Sequence, residues 1–204
     1  MVTDFGHFQT ADNIMKKVLE TAQSVALTPA ALLIFGESGT GKSSLVQMIA
    51  EKSRQRVTLK WTPFKKPNLI DFKNAEICLI EDLHQFNYIQ QTELNEAIDL
   101  LREQNQRVRW IATTSQDLAN QVQTNGFRRD LFFRLSVIQL KIPSLKERSG
   151  DVHVLASCLA DMFCVLKNET RKTLSPEALA KLAAHNWPGN VRELQNEVER
   201  LYLL

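Results

Sequence analysis

Residues 31–43 read ALLIFGESGTGKS, an apolar run that gives way without a break to a glycine-rich turn. The run Ala31–Phe35 shows no polar alternation, the pattern of a strand buried on both faces of a parallel sheet. The turn Gly36-Glu37-Ser38-Gly39-Thr40-Gly41-Lys42-Ser43 fits G-x-x-x-x-G-K-[ST] in full and holds three of the chain's seven glycines. Glycines let backbone N–H groups turn inward around phosphate oxygens. A helix opening at Lys42 aims its positive end at the same anion. Lys42 is placed to reach the terminal phosphates and the Ser43 hydroxyl to ligate Mg²⁺. A chance match in a chain of this length is expected about once in a hundred. The motif also has its own context, a strand before and a helix after, so an α/β domain that binds ATP is the reading. A glycine-rich turn without a ligand is the alternative.

Working outward, strands and helices alternate. Ala11–Ala26 puts Ile14, Val18, Leu19, Ala22 and Val25 on one helical face. A helix runs from the turn to Lys52, and Arg56–Trp61 reads as a second strand. Glu76–Glu81 is a third strand, Gln91–Gln104 a helix, Arg107–Thr113 a fourth strand and Val137–Ile142 a fifth, stopped by Pro143. This alternation predicts a five-stranded parallel sheet flanked by helices. Past Pro143 the pattern changes. Ser144–Asp151 (SLKERSGD) is polar and turn-rich and reads as a linker, followed by three helical stretches, Asp151–Leu166, Pro176–His185 and Val191–Leu203. Pro176 and Asn190 serve as start signals. The expected division is therefore 1–142, a nucleotide-binding sheet domain, and 143–204, a helical unit.

The strand Ile77-Cys78-Leu79-Ile80 ends in Glu81 and Asp82. In open α/β sheets this end of a strand faces the ligand crevice. One acid would hold Mg²⁺ through water and the other orient and deprotonate an attacking water. The alternative is a solvated strand end. His84, two residues on, reads as an ordinary loop histidine.

Composition narrows the class without naming it. With 44% hydrophobic and 24% charged residues the chain has the makeup of a globular domain. A net charge of +2 does not point to nucleic acid. No apolar run approaches the ~20 residues that span a bilayer, and Met1–Thr10 carries no signal-peptide pattern. Three cysteines, Cys78, Cys158 and Cys164, lack metal or redox spacing and read as buried thiols of a reducing cytoplasm.

With these motifs in place, the chain resembles the AAA+ domain of bacterial sigma-54-dependent enhancer-binding activators over almost its whole length. GESGTGKS is that family's form of the phosphate loop. RVRWIATTSQDL is similar to its sensor strand and puts Thr114 and Ser115 where the family has Thr-Asn. GFRRDLFFRLSVIQLKIPSLKERSGDV resembles its arginine-finger helix, fifth strand and linker, and HNWPGNVRELQNEVERL its second sensor. The resemblance implies that the helical unit is a lid. It also implies that Arg128 and Arg134 act in trans on the γ-phosphate of a neighbouring subunit in a ring, and that Arg192 and Thr114 touch bound nucleotide. Guanidinium suits such a role because it is permanently charged and fork-shaped. The alternatives are a surface arginine or a partner for Asp130 at the first two, and a helix salt bridge with Glu193 or Glu197 at Arg192. Trp187 and Pro188 read as packing and turn residues.

The sequence departs from that family at four places. Ser53–Glu76 is too short for the sigma-54-contacting GAFTGA loop and contains no glycine. The family's Asp-Glu pair is reversed to Glu81-Asp82, which leaves a base one methylene short. The asparagine that follows the second strand is replaced by Trp61. No helix-turn-helix, hence no DNA-binding element, is found within the chain. Three functions compete. One is a nucleotide-switched, self-associating regulator with weak or no hydrolysis and a protein partner in transcription. The second is a working ATPase that remodels a transcription complex, and the third is a nucleotide-free interaction module.

Overall fold

The computed structural model describes residues 3–4, 8–167, 170 and 173–203. In chain order these form β1 (Thr3–Asp4), β2 (Gln9–Thr10), α1 (Asn13–Ala26), β3 (Leu32–Phe35), α2 (Lys42–Ser53), β4 (Val57–Trp61), β5 (Ile77–Ile80) and α3 (Tyr88–Glu103). They continue with β6 (Arg109–Thr114), α4 (Leu118–Gln123), α5 (Arg129–Leu135), β7 (Ile138–Lys141), α6 (Asp151–Lys167), α7 (Pro176–Ala184) and α8 (Asn190–Leu203). Residue contacts divide the chain into two units, one of Thr21–Gly36 and Lys42–Lys141, the other of Met1–Glu20, Glu37–Gly41 and Ile142–Leu204.

The first unit carries the five-stranded sheet, all parallel, in the order β4-β5-β6-β3-β7. The central strands are the ones legible as apolar runs, because both faces are covered: β5 is buried at all four residues and β3 at Leu32, Leu33 and Ile34. The edge strands β4 and β7 alternate instead, with Thr58, Lys60, Gln139 and Lys141 turned outward. Phe35 pairs with Thr114 and Ile80 with Ala112, so the strand ends that carry the motifs lie side by side. One face packs α3 and α5 through Leu94, Ala97, Leu101, Leu131 and Leu135 onto Cys78, Ile80 and Ala112. Buried Cys78 has its thiol pushed up to about 12 by loss of water.

In the second unit α6, α7 and α8 meet around Val152, Ala156, Phe163, Leu182, Trp187, Leu194 and Val198. Pro176 opens α7 behind Ser175, whose hydroxyl caps the Ala178 amide at 3.2 Å.

Four expectations shift. Helix α3 starts at Tyr88, not Gln91, because Asn87 and Gln90 form a reciprocal capping box with bonds of 3.0 and 2.9 Å. The face of α1 is Met15, Leu19, Ala22 and Ala26, one residue round from the expected set, and Ile14 is exposed. Strand β6 begins at Arg109. That side chain is buried and donates to the last carbonyls of α1, Val25 and Ala26, at 2.8 and 2.7 Å. Finally, 144–151 is no loose linker: Leu145, Arg148 and Asp151 are among the most deeply buried residues.

Candidate functional site

In the sheet unit, β3 delivers Gly36 and α2 begins at Lys42, so the phosphate-loop sequence joins a strand to a helix N-terminus. Gly36 N donates to Thr114 O at 3.2 Å, and Lys42 Nζ donates to Gly36 O at 2.8 Å. Ser43, in the first turn of α2, is exposed. Gly39 and Gly41 have φ of +77° and +104°, conformations that L side chains rarely adopt.

Glu81 and Asp82 follow β5 directly. Glu81 N is held by Trp61 O at 2.9 Å, and its carboxylate faces Lys60 Nζ at 3.4 Å. Asp82 takes the left-handed conformation, φ 51° and ψ 46°, and its amide lies 3.4 Å from Thr113 Oγ1. Its side chain is exposed. Hard oxygen donors at Ser43, Glu81 and Asp82 suit Mg²⁺. Trp61, at the position the resemblance gives to asparagine, is 1% exposed, and its side chain packs in the sheet core.

Thr114 is buried, and its hydroxyl is turned onto its own chain, donating to Gln116 O at 3.0 Å and accepting from Gln116 N at 3.1 Å. The neighbouring Ser115 Oγ lies 3.1 Å from His84 Nε2. Burial pushes the His84 imidazole below its ordinary value; the Asp82 carboxylate opposes this and the Lys42 ammonium adds to it. The histidine thus links the β5 and β6 ends, a connection its spacing did not reveal.

Arg128 and Arg134 both reach α3. Arg128 donates to Asp130 through Nε and Nη2 and to Thr92 Oγ1 at 2.8 Å, and lies over the Tyr88 ring at 5.6 Å. Arg134 pairs with Asp99. The partner considered for Arg128 in the sequence, Asp130, is therefore the one it has in the isolated chain.

In the helical unit, the segment Glu37–Gly41 is held by Asn190, Arg192 and Arg148, of which the sequence names only Arg192 as a site residue. Asn190 Nδ2 donates to Glu37 Oε2 and to Ser38 O, both at 3.0 Å, while its Oδ1 accepts from Leu145 N at 2.7 Å. Arg192 N donates to Gly39 O at 3.3 Å. Arg148 Nη2 donates to Thr40 O at 3.1 Å and Nη1 lies 3.5 Å from Asp151 Oδ2. Asn190 had been legible only as a helix start and Arg148 only as part of a polar turn. Glu193, an alternative partner for Arg192, instead caps Gly189 N at 2.7 Å.

Comparison with known proteins bears on these motifs. A family model described as the sigma-54 interaction domain matches residues 10–145, and one described as the AAA+ ATPase lid domain matches residues 146–204. The chain belongs to the sigma-54 interaction domain family. The transcriptional regulatory protein FlbD of Caulobacter vibrioides is 31% identical over 95% of this chain and 50% of its own length. The regulatory protein AtoC of Escherichia coli is 28% identical over 98% and 51%. The chain thus spans about half the length of the curated relatives it matches. The FlbD alignment runs over 229 residues, more than the 204 of this chain, so this domain is shorter than its relatives'. NtrX from Brucella abortus, solved in complex with ATP, superposes with a TM-score of 0.83 at 25% identity, covering 97% of this chain and 53% of that one. AMPPCP-bound DnaA from Aquifex aeolicus, at a TM-score of 0.65 and 16% identity over 95% of this chain and 63% of that one, shares the fold. The chain is related to sigma-54-dependent transcription regulators and has the AAA+ α/β fold with a helical lid. No described helix is long and apolar enough to cross a membrane.

Proposed function

We propose that the chain is a nucleotide-switched AAA+ regulatory domain that binds ATP with Mg²⁺, self-associates and hydrolyses slowly or not at all. The observation that carries this reading is the loop Gly36–Ser43: an intact phosphate-loop sequence with Gly39 and Gly41 at positive φ, leading into the N-terminus of α2. NtrX, solved with ATP and with ADP, supports the choice of nucleotide. Bound Mg²⁺ supplies charge neutralisation of the phosphates, and Ser43, Glu81 and Asp82 are the residues that would hold it. Lys42 binds the phosphates and Asp82 stands where the base is needed.

Two observations support slow turnover. The base side chain is one methylene short, and a displacement of about 1 Å costs around a hundredfold in rate. Trp61, at the asparagine position, is committed to the core. Arg128, at the N-cap of α5, and Arg134, within α5, are the arginines offered to a neighbouring subunit, consistent with a head-to-tail assembly that closes into a ring. The absent insertion between α2 and β5 points to a protein partner in transcription regulation that is not engaged through the family's sigma-54-contacting loop. The protein works in the cytoplasm, with nucleotide state as its signal.

The test is a thermal-shift titration with Mg-ATP and Mg-ADP beside a phosphate-release assay, since a ligand of the folded state raises stability. A shift with little release is expected, and Lys42→Ala abolishes the shift while leaving the fold intact. Release at the rate of ordinary phosphate-loop ATPases makes the chain a working remodeller instead. No shift with either nucleotide makes it an interaction module.

A further inference from the structure

Three consecutive carbonyls of the phosphate loop are each held by a different residue of 142–204, and this arrangement points to a role for Asn190 and Arg148. Ser38 O accepts from the Asn190 carboxamide, Gly39 O from the Arg192 amide and Thr40 O from the Arg148 guanidinium. In a planar trans peptide the N–H points opposite to the C=O of the same unit. Holding these three carbonyls therefore aims the amides of Gly39, Thr40 and Gly41 the other way. Among the described residues none of those three amides donates to another group. We propose that Asn190 and Arg148 are positioning residues that preset the three amides of the loop as donors for phosphate; this rests on the nucleotide-site reading above.

The setting of the two side chains supports a dedicated purpose. Asn190 is fully buried with φ 55°, a left-handed conformation that asparagine tolerates, and its carboxamide is used at both ends. Arg148 and Asp151 form a buried ion pair, a costly arrangement that hydrophobic packing commonly replaces without loss. Asp151 accepts from Thr10 Oγ1 and Ala11 N, both at 2.7 Å, and from Asp12 N at 3.1 Å, so its carboxylate is fixed and fixes the guanidinium in turn. What the pair offers that packing cannot is a directed donor on Thr40 O. Gly39 is part of the same fit: a Cβ there would lie 2.2 Å from Gly189 O.

The experiment uses the ¹⁵N-labelled chain and two conservative variants, with ATP affinity and the amide resonances of Gly39, Thr40 and Gly41 as readouts. Asn190→Asp keeps the left-handed backbone and the acceptor for Leu145 N but loses the donor. Arg148→Lys keeps the charge beside Asp151 but not the reach to Thr40 O. Each variant is expected to bind Mg-ATP about tenfold more weakly, the loss of one well-placed charge-assisted or buried hydrogen bond. The shifts that ATP induces at the three amides shrink, while those of the β5 and β6 amides stay. If Asn190→Asp does not fold, Arg148→Lys carries the test alone. Affinity within twofold of wild type overturns the proposal, and so does weaker binding with the three amide shifts unchanged, which marks a merely structural role. A wild-type chain that binds no ATP, or a Lys42→Ala variant that binds it equally well, overturns the underlying nucleotide-site reading instead.

Discussion

Asp130 holds the Arg128 guanidinium with both carboxylate oxygens, Oδ2 at 2.7 Å from Nη2 and Oδ1 at 3.1 Å from Nε. Bidentate geometry of this kind fixes a planar guanidinium in direction as well as position. Asn95 Nδ2, 3.2 Å from Asp130 Oδ2, ties the pair to α3. An arginine proposed to serve a neighbouring subunit is thus parked within its own chain.

The first prediction concerns acid. The hydrogen bond from Arg128 holds the Asp130 carboxyl down at about 2, below its ordinary 3.8. A depressed carboxylate stabilises the fold above its unfolded value and loses that contribution as pH falls through the folded one. The pair is partly exposed, so its worth is about 0.5–1 kcal/mol rather than the full shift. Asp130→Asn should be less stable than wild type by that amount in urea at pH 7, and the gap should narrow between pH 4 and pH 2. A gap that does not change with pH would place the stabilisation elsewhere.

A second prediction separates two glycines. Gly39→Ala forces a left-handed alanine, about 1–2 kcal/mol, and drives its Cβ against the Gly189 carbonyl. Thermal unfolding should fall by roughly 5 °C or more, with nucleotide binding lost. Gly126→Ala, whose Cβ would meet nothing nearer than 3.6 Å, should leave both within experimental error.

Restoring the family's acid order gives a third. The double variant Glu81→Asp, Asp82→Glu lengthens the base position by a methylene. Phosphate release should rise by about tenfold or more if reach is what limits turnover. Unchanged release with intact ATP binding would shift the blame to Trp61.

The fourth concerns the buried pair. Asp151→Ala leaves Arg148 charged and buried at 2% exposure, and frees Thr10 Oγ1 and two backbone amides. A loss of about 3–5 kcal/mol is expected in chemical denaturation. A smaller loss would mean that water enters to replace the carboxylate.

The β-strands and the phosphate loop were legible because each rests on local chemistry. Leu32–Ile34 and Ile77–Ile80 are apolar without alternation, as covered strands must be, and the loop's spacing of glycine, lysine and serine has few other uses. Helix α3 starts three residues before the apolar periodicity predicts, at a point that the Asn87–Gln90 capping box marks in the sequence. The buried face of α1 lies one residue round from the stripe the sequence predicts, because Ile14 and Met15 fit a helical stripe equally well and only packing chooses Met15.

By itself, then, the amino-acid order determined the alternation of strands and helices, the β3–loop–α2 unit and the acids that end β5. These follow from side-chain period, backbone freedom at glycine and the chemistry of single residues. The strand order β4-β5-β6-β3-β7, the contacts of Arg128 with Thr92 and of Arg134 with Asp99, and the hold of Asn190 and Arg148 on the loop carbonyls were decided by tertiary structure. Each joins residues far apart in the chain, over 150 positions for Asn190 and Ser38. Hydrogen bonds at such separation leave no period or spacing in a sequence, since only the packed chain brings donor to acceptor.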